Sequence, residues 1–199
     1  MQARDLTRQD ITIKQEHEPY HGFASLKTYK LRHRLFSGET SPVITRELLQ
    51  RPPVVGILPV DFHQQQLVLI EQFRIGALED SHSPWLLEIV AGVIDPGEKP
   101  ETSAIRETQE EAGLDIYNLQ LLHHYWVSPG YSTENMRIYC GEVDANQAAQ
   151  IAGLDSEDED IRVHVVSFQQ AWQWLNEGFI NNAPSIIALQ WLRLQQNND

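Results

Sequence analysis

Residues Gly92 to Leu114 read GVIDPGEKPETSAIRETQEEAGL and gather glutamates and one arginine around a single helix start. Asp95-Pro96-Gly97 is a cluster of turn formers and Pro100 suits a first helical turn. Glu101 to Ala112 then reads as helix, with Gly113 as its stop. On that helix Ile105, Thr108 and Ala112 share one stripe, while Glu107 and Glu111 stack on another with Glu110 beside them. Like charges at that spacing cost roughly 0.3 kcal/mol per pair, so such a helix either exposes them fully or holds a cation between them. For a cluster made only of carboxylates the cation is a hard one, Mg²⁺ or Mn²⁺.

Working outward, Arg51-Pro52-Pro53 reads as a boundary, with residues 1–50 a β extension ahead of a main domain over 51–199. Residues 1 to 10 are polar and expected to fray, and a first strand is expected near Ile11 to Gln15. Leu26 to Phe36 alternates, with Tyr29, Leu31 and Leu35 opposite Lys30, Arg32 and Arg34, as a half-buried strand does. Val43 to Leu49 is another short segment. Val54 to Val60 and Leu67 to Phe73 read as a hairpin. Trp85 to Ala91, apolar apart from Glu88, delivers the chain to Gly92. After the helix come strands over Leu119 to Val127 and Met136 to Val143, separated by the loop Ser128 to Glu134, then a short strand over Arg162 to Val166. Two helices close the chain. One carries Phe168, Ala171, Trp172 and Leu175 behind a Ser167 cap and ends at Gly178; the other opens at Pro184 with Ile187, Trp191 and Leu194 on one side.

The composition is that of a globular chain: 199 residues, 41% hydrophobic and 22% charged. Its formal net charge of −13 argues against nucleic acid and anionic membranes as partners, and an anionic substrate would need a cation or local arginines to offset the field. The single Cys140 alternates with Met136 and Ile138 as a strand residue would, and reads as structural. Adjacent His123 and His124 point to opposite faces of a strand, and no histidine pair has the spacing of a zinc site. The first residues lack an apolar core of signal-peptide length and no run is long enough to span a membrane, so a cytoplasmic location is expected.

Gly92, Glu98, Arg106, Glu107, Glu110, Glu111, Gly113 and Leu114 match the pattern of the Nudix box position for position, and the stretch resembles that motif; Thr108 stands where an apolar residue is usual. Coincidence at seven polar or glycine positions has a chance on the order of 10⁻⁸ per start. Along most of the chain, Phe23, Arg32 to Phe36, Leu69 to Gln72, Trp85 to Glu88, Ser128-Pro129-Gly130 and Glu159 to His164 resemble the ADP-ribose pyrophosphatase branch of that family. The resemblance implies an α/β/α sandwich around a mixed β-sheet, where composition alone says only α+β. It implies metal ligation by Glu107, Glu111, Glu159 and the carbonyl of Ala91, with Glu110 as a further ligand or metal-water contact. Glu157 would be the general base on an acidic lid. Gly92, Glu98, Arg106 and Gly113 would hold the box in shape, Glu98 and Arg106 as an ion pair.

Substrate contacts fall by the same resemblance on Phe23, Ala24, Arg74, Val93, Ser128, Pro129, Gly130 and Glu134, although Tyr131 stands where a second glycine is frequent. Arg46, Glu47 and Arg51 would reach the site of a second subunit in a homodimer with exchanged N-terminal strands. The implied reaction is hydrolysis of ADP-ribose to AMP and ribose 5-phosphate with two or three Mg²⁺ ions per site, Mn²⁺ being the alternative metal. Another nucleoside diphosphate sugar such as GDP-mannose is the competing substrate. A non-catalytic ADP-ribose sensor is the competing class, and it would have no need of Glu107, Glu110 and Glu111 together with Glu157 and Glu159.

Overall fold

Val54–Asp61 is buried along its whole length, and its alternate side chains feed two different cores. The structure, a computed structural model, describes residues 5–196; the expected fraying of the first ten residues therefore lies partly outside the described residues. The chain forms two compact units, one running to Pro53 and taking in Trp126–Asn135, the other made of Val54–Tyr125 and the chain from Met136 onward.

In the first unit β1 (Ile11–His21), β2 (Ser25–His33) and β3 (Ile44–Gln50) make an antiparallel sheet in that order. β1 runs well past the expected Gln15 and is exposed over nearly all its length. β2 stops short of the expected Phe36. Arg34 only bridges Thr40, Leu35 and Gly38 close a turn with Gly38 at φ 90°, and Phe36 is fully exposed. On the far side of β3, Leu49 N–H donates to the Tyr131 carbonyl at 2.7 Å and Thr133 N–H returns to Leu49 at 3.0 Å, which draws the 126–135 segment into this unit.

The second unit is built on a mixed sheet. Its strands are β4 (Val54–Asp61), β5 (Gln66–Phe73), β6 (Trp85–Glu88), β7 (Val90–Val93), β8 (Tyr117–Trp126), β9 (Asn135–Glu142), β10 (Ile151–Ala152) and β11 (Ile161–Ser167). The order is β10-β11-β5-β4-β9-β8, with β4 and β9 parallel, β6 on β5 and β7 on β4. Period-two alternation sorts the side chains. Val55, Ile57, Val68, Ile70 and Tyr139 pack under α1 (Pro100–Ala112), with Ala104, Ala112 and Leu114. Leu58, Val60, Leu67, Leu69, Ile138 and Cys140 pack under α2 (Phe168–Glu177) and α3 (Ala183–Gln196). Each such fully buried aliphatic side chain contributes about 1.5–3 kcal/mol. The result is the expected α/β/α sandwich.

The hairpin and two helix stripes need correction. The β4–β5 hairpin keeps only the pairs Val60↔Leu67 and Asp61↔Gln66 before the strands part, and β7 and β6 take over their free edges. Trp85 to Ala91 is accordingly two strands, because Ile89 leaves the edge of β5 for that of β4. Ile89 N–H is then satisfied by Ser185 Oγ at 2.9 Å, and the Leu87 carbonyl by Asn182 Nδ2 at 2.7 Å. On α1 the packed stripe uses Ala104 with Thr108 and Ala112, while Ile105 is half exposed. Leu194 is likewise exposed; Ala188, Leu189 and Leu192 are the buried residues of α3.

Candidate active site

β7 runs into the Asp95-Pro96-Gly97 turn, where Glu98 N–H donates to the Asp95 carbonyl at 2.9 Å and Gly97 adopts φ 86°. Pro100 then occupies the first turn of α1, whose start at Lys99 has no side-chain cap. Gly113 ends the helix at φ 68°, its N–H bonded to the Gln109 carbonyl at 3.0 Å. Thr108 fits its fully buried place by donating its hydroxyl to the Ala104 carbonyl at 2.7 Å, leaving only its methyl to the core.

Arg106 ties the loop to the helix. Its Nε and Nη2 donate to the two Glu98 oxygens at 3.3 and 3.2 Å, Nη2 also reaches the Val93 carbonyl at 3.1 Å, and Nη1 lies 2.8 Å from both Glu107 and Glu110. Ser103, which sequence reasoning missed, adds a 2.6 Å bond to Glu98. These bonds, Arg106 foremost, hold the Glu98 carboxyl at about 2 and push the Arg106 guanidinium well above its ordinary range.

Glu107 and Glu111 are buried, and burial outweighs their partners. Glu107 is pushed up to about 7 by desolvation despite Arg106, with the Glu110 and Glu159 charges adding to the rise. Glu111 is pushed up to about 8 by desolvation and by Glu107 and Glu159, against one N–H bond from Ala91 at 2.9 Å. Glu159, ahead of β11, is raised by burial and by the Glu157 and Glu110 charges; its Oε2 accepts the Leu154 N–H at 3.3 Å. Glu110 is tied to the same region through its carbonyl, which accepts Gly153 N–H at 3.1 Å. Glu157 ends an exposed helical turn, and Asp158 after it is left-handed at φ 56°.

The four glutamates 107, 110, 111 and 159 thus sit in each other's fields. Among the described residues no three His, Cys, Asp or Glu side chains stand ready to close around one ion. The geometry explains that: Glu107 and Glu110 are turned to Arg106, and Glu111 to Ala91. By donor chemistry and charge the set fits a hard divalent cation, which would offset repulsion that burial has made costly. Ala91 supplies backbone on β7 beside Glu111, with its N–H on that side chain.

Arg74 follows β5 in the same unit, and its charge acts on Glu111 and Glu159. Its Nε donates to Glu88 at 2.7 Å. The other proposed substrate contacts, apart from Val93 at the end of β7, belong to the first unit. There Arg51 lies 4.5 Å over the exposed Phe23 ring and donates from Nε to Glu134 at 3.1 Å. Ala24 precedes β2 and accepts Gly22 N–H, so that it closes the turn from β1. Ser128 accepts the N–H groups of Tyr131 and Ser132, folding the loop that carries Pro129 and Gly130. Arg46 and Glu47 are exposed on β3, opposite Tyr29 and Thr28. Cys140 is buried in β9, its thiol pushed up to about 12 by desolvation. No described helix is long and apolar enough to cross a membrane.

Comparison with known proteins agrees with this fold. A family profile described as NUDIX domain matches residues 50–196. An ADP-ribose pyrophosphatase of Haemophilus influenzae is 45% identical over 97% of this chain and 90% of the relative. One from Escherichia coli K12 is 49% identical over 94% of this chain and 90% of the relative. A crystal structure described as an ADP compounds hydrolase superposes with a TM-score of 0.69 over 96% of this chain and 98% of the other; at 23% identity it speaks to fold. Hydrolases of this group generally need divalent cations. The chain belongs to the NUDIX family.

Proposed function

We propose that this enzyme hydrolyses the pyrophosphate bond of ADP-ribose, giving AMP and ribose 5-phosphate. One observation carries the proposal: Glu107 and Glu111 lie buried on α1 with Glu110 and Glu159 in their field, a like-charged set that a cation relieves. The relatives named above support ADP-ribose as the substrate. Glu107, Glu111, Glu159 and the Ala91 carbonyl would hold Mg²⁺, two or three ions per site, with Glu110 as a further ligand or a contact to water at the metal. Held there, such cations would offset the charge of the diphosphate and make water more acidic. Glu157 accepts the proton of the attacking water at a carboxylate oxygen as its loop closes. The water oxygen forms the new P–O bond while the bridging oxygen departs with the other phosphate. Arg74 orients the diphosphate, and Val93, Phe23, Ala24, Ser128, Pro129, Gly130 and Glu134 are the other substrate contacts. Residues 1–50 act as an extension exchanged between the subunits of a homodimer, through which Arg46, Glu47 and Arg51 serve the partner's site. The enzyme acts in the cytoplasm.

Purified protein incubated with ADP-ribose and Mg²⁺, beside GDP-mannose, NADH and ATP and a chelator control, tests the reading by anion-exchange separation of products. AMP and ribose 5-phosphate formed only with metal, and fastest from ADP-ribose, is the expected result. Faster cleavage of GDP-mannose would overturn the choice of substrate.

A further inference from the structure

Arg74 and Glu88 reach each other across the β5–β6 pair. Cross-strand register places Glu88 opposite Ile70, and alternation puts Ile70 and Gln72 on one face of β5, with Arg74 just past the strand's end. Ile70 packs in the core beneath α1, so this is the face that carries the glutamate set. Glu88 has only 14% of its side chain exposed, between Leu87 and Ile89, and burial raises its carboxyl against the pull of Arg74. Its one side-chain partner among the described residues is Arg74 Nε at 2.7 Å. The guanidinium makes no other side-chain bond there, which leaves both Nη groups free. An arginine held by Nε presents its Nη edge as a fork, the geometry that receives two oxygens of a phosphate. On the same face Gln72 is 6% exposed and its Nε2 has no partner among the described residues. An ion pair whose arginine side chain is 40% exposed contributes little to stability, so a pair that leaves the fork open is better explained by orientation than by folding.

We propose that Glu88 is a positioning residue that aims the Arg74 fork at the diphosphate of the substrate. The inference rests on the proposed activity and goes beyond it by naming the group that sets a substrate contact. Glu88 touches no substrate and acts only through Arg74.

A double-mutant cycle on kcat and KM tests it. Glu88→Gln should lower kcat/KM about tenfold, chiefly through KM, in the wild-type background, and have no further effect in Arg74→Ala. Glu88→Asp, which keeps the charge but shortens the reach, should fall between. Melting of Glu88→Gln and of the double variant is measured on the same samples, so that a loss of fold is not read as a loss of positioning. Equal losses from Glu88→Gln in both backgrounds, or no loss in either, would overturn the proposal. If Glu88→Gln fails to fold, the Glu88→Asp cycle reads the same coupling. If the wild type prefers another nucleoside diphosphate sugar, the substrate reading falls and the cycle runs unchanged on that compound.

Discussion

The Glu107 carboxylate lies directly against the Cα of Gly92, so that a Cβ on residue 92 would fall among Glu107 Cδ, Oε1 and Oε2. The glycine at the start of the motif is there for space; its φ is not among the left-handed ones. Strand β7 and helix α1 can approach closely enough to bury an acid only because residue 92 has no side chain. Gly92→Ala must therefore push Glu107 aside. Overpacking of this kind costs about 1–3 kcal/mol, and the displaced carboxylate should lower turnover on the order of a hundredfold. Thermal melting and steady-state rates check both parts. Adding Glu107→Ala to Gly92→Ala should restore melting and leave activity lost.

Acid stability should depend on Glu98. Its folded value of about 2 lies below the ordinary 4.5, chiefly through Arg106, so its contribution is complete above the unfolded value and disappears as pH falls through the folded one. Glu98→Gln should melt below wild type near neutral pH, and the gap should close as pH falls from about 4.5 toward about 2. A gap that stays constant across that window would show that the hydrogen-bonding shape of Glu98 matters and its charge does not.

Glu157 is exposed at the end of its turn, so replacing it costs the fold little. Glu157→Gln should shift stability by no more than about 0.5 kcal/mol and lower kcat by about 10²–10⁴-fold. Circular dichroism melts and initial rates separate the two effects. Turnover near wild type would return residues 157–160 to a solvated acidic loop.

Cys140 should be inert. Burial pushes its thiol up to about 12, and the thiolate is the reactive form. Iodoacetamide at about pH 8 should label the denatured chain and leave the native one unmodified, with activity intact. Intact-mass spectrometry reads the outcome.

How much of this was legible in the sequence depended on how far apart the cooperating residues lie. The turn, the helix and its Gly113 stop span residues 92–114, and short-range rules suffice for them. The Glu98 pairing with Arg106 came from the motif, but the buried Ser103 that also bonds Glu98 was overlooked, because serine on a helix carries no distinctive signal. Ile105 misled because α1 lies flat on the sheet: the small Ala104 fits that close approach and the larger Ile105 turns outward. The break between β6 and β7 was invisible because it depends on Ser185 and Asn182, more than ninety residues downstream, to satisfy the backbone there. Glu88 did leave a trace, as the lone carboxylate of an apolar run, but nothing in the spacing pairs it with Arg74, fourteen residues earlier.

The central claim is that the buried glutamates of α1 hold the catalytic cation. Calorimetric titration of Mn²⁺ into wild type and Glu111→Gln, with ADP-ribose turnover measured on the same samples, tests it most directly. Saturable binding by wild type, lost or weakened at least about tenfold in a folded Glu111→Gln whose kcat falls by orders of magnitude, is the expected result. Undiminished Mn²⁺ binding together with near-normal turnover in Glu111→Gln would contradict the account.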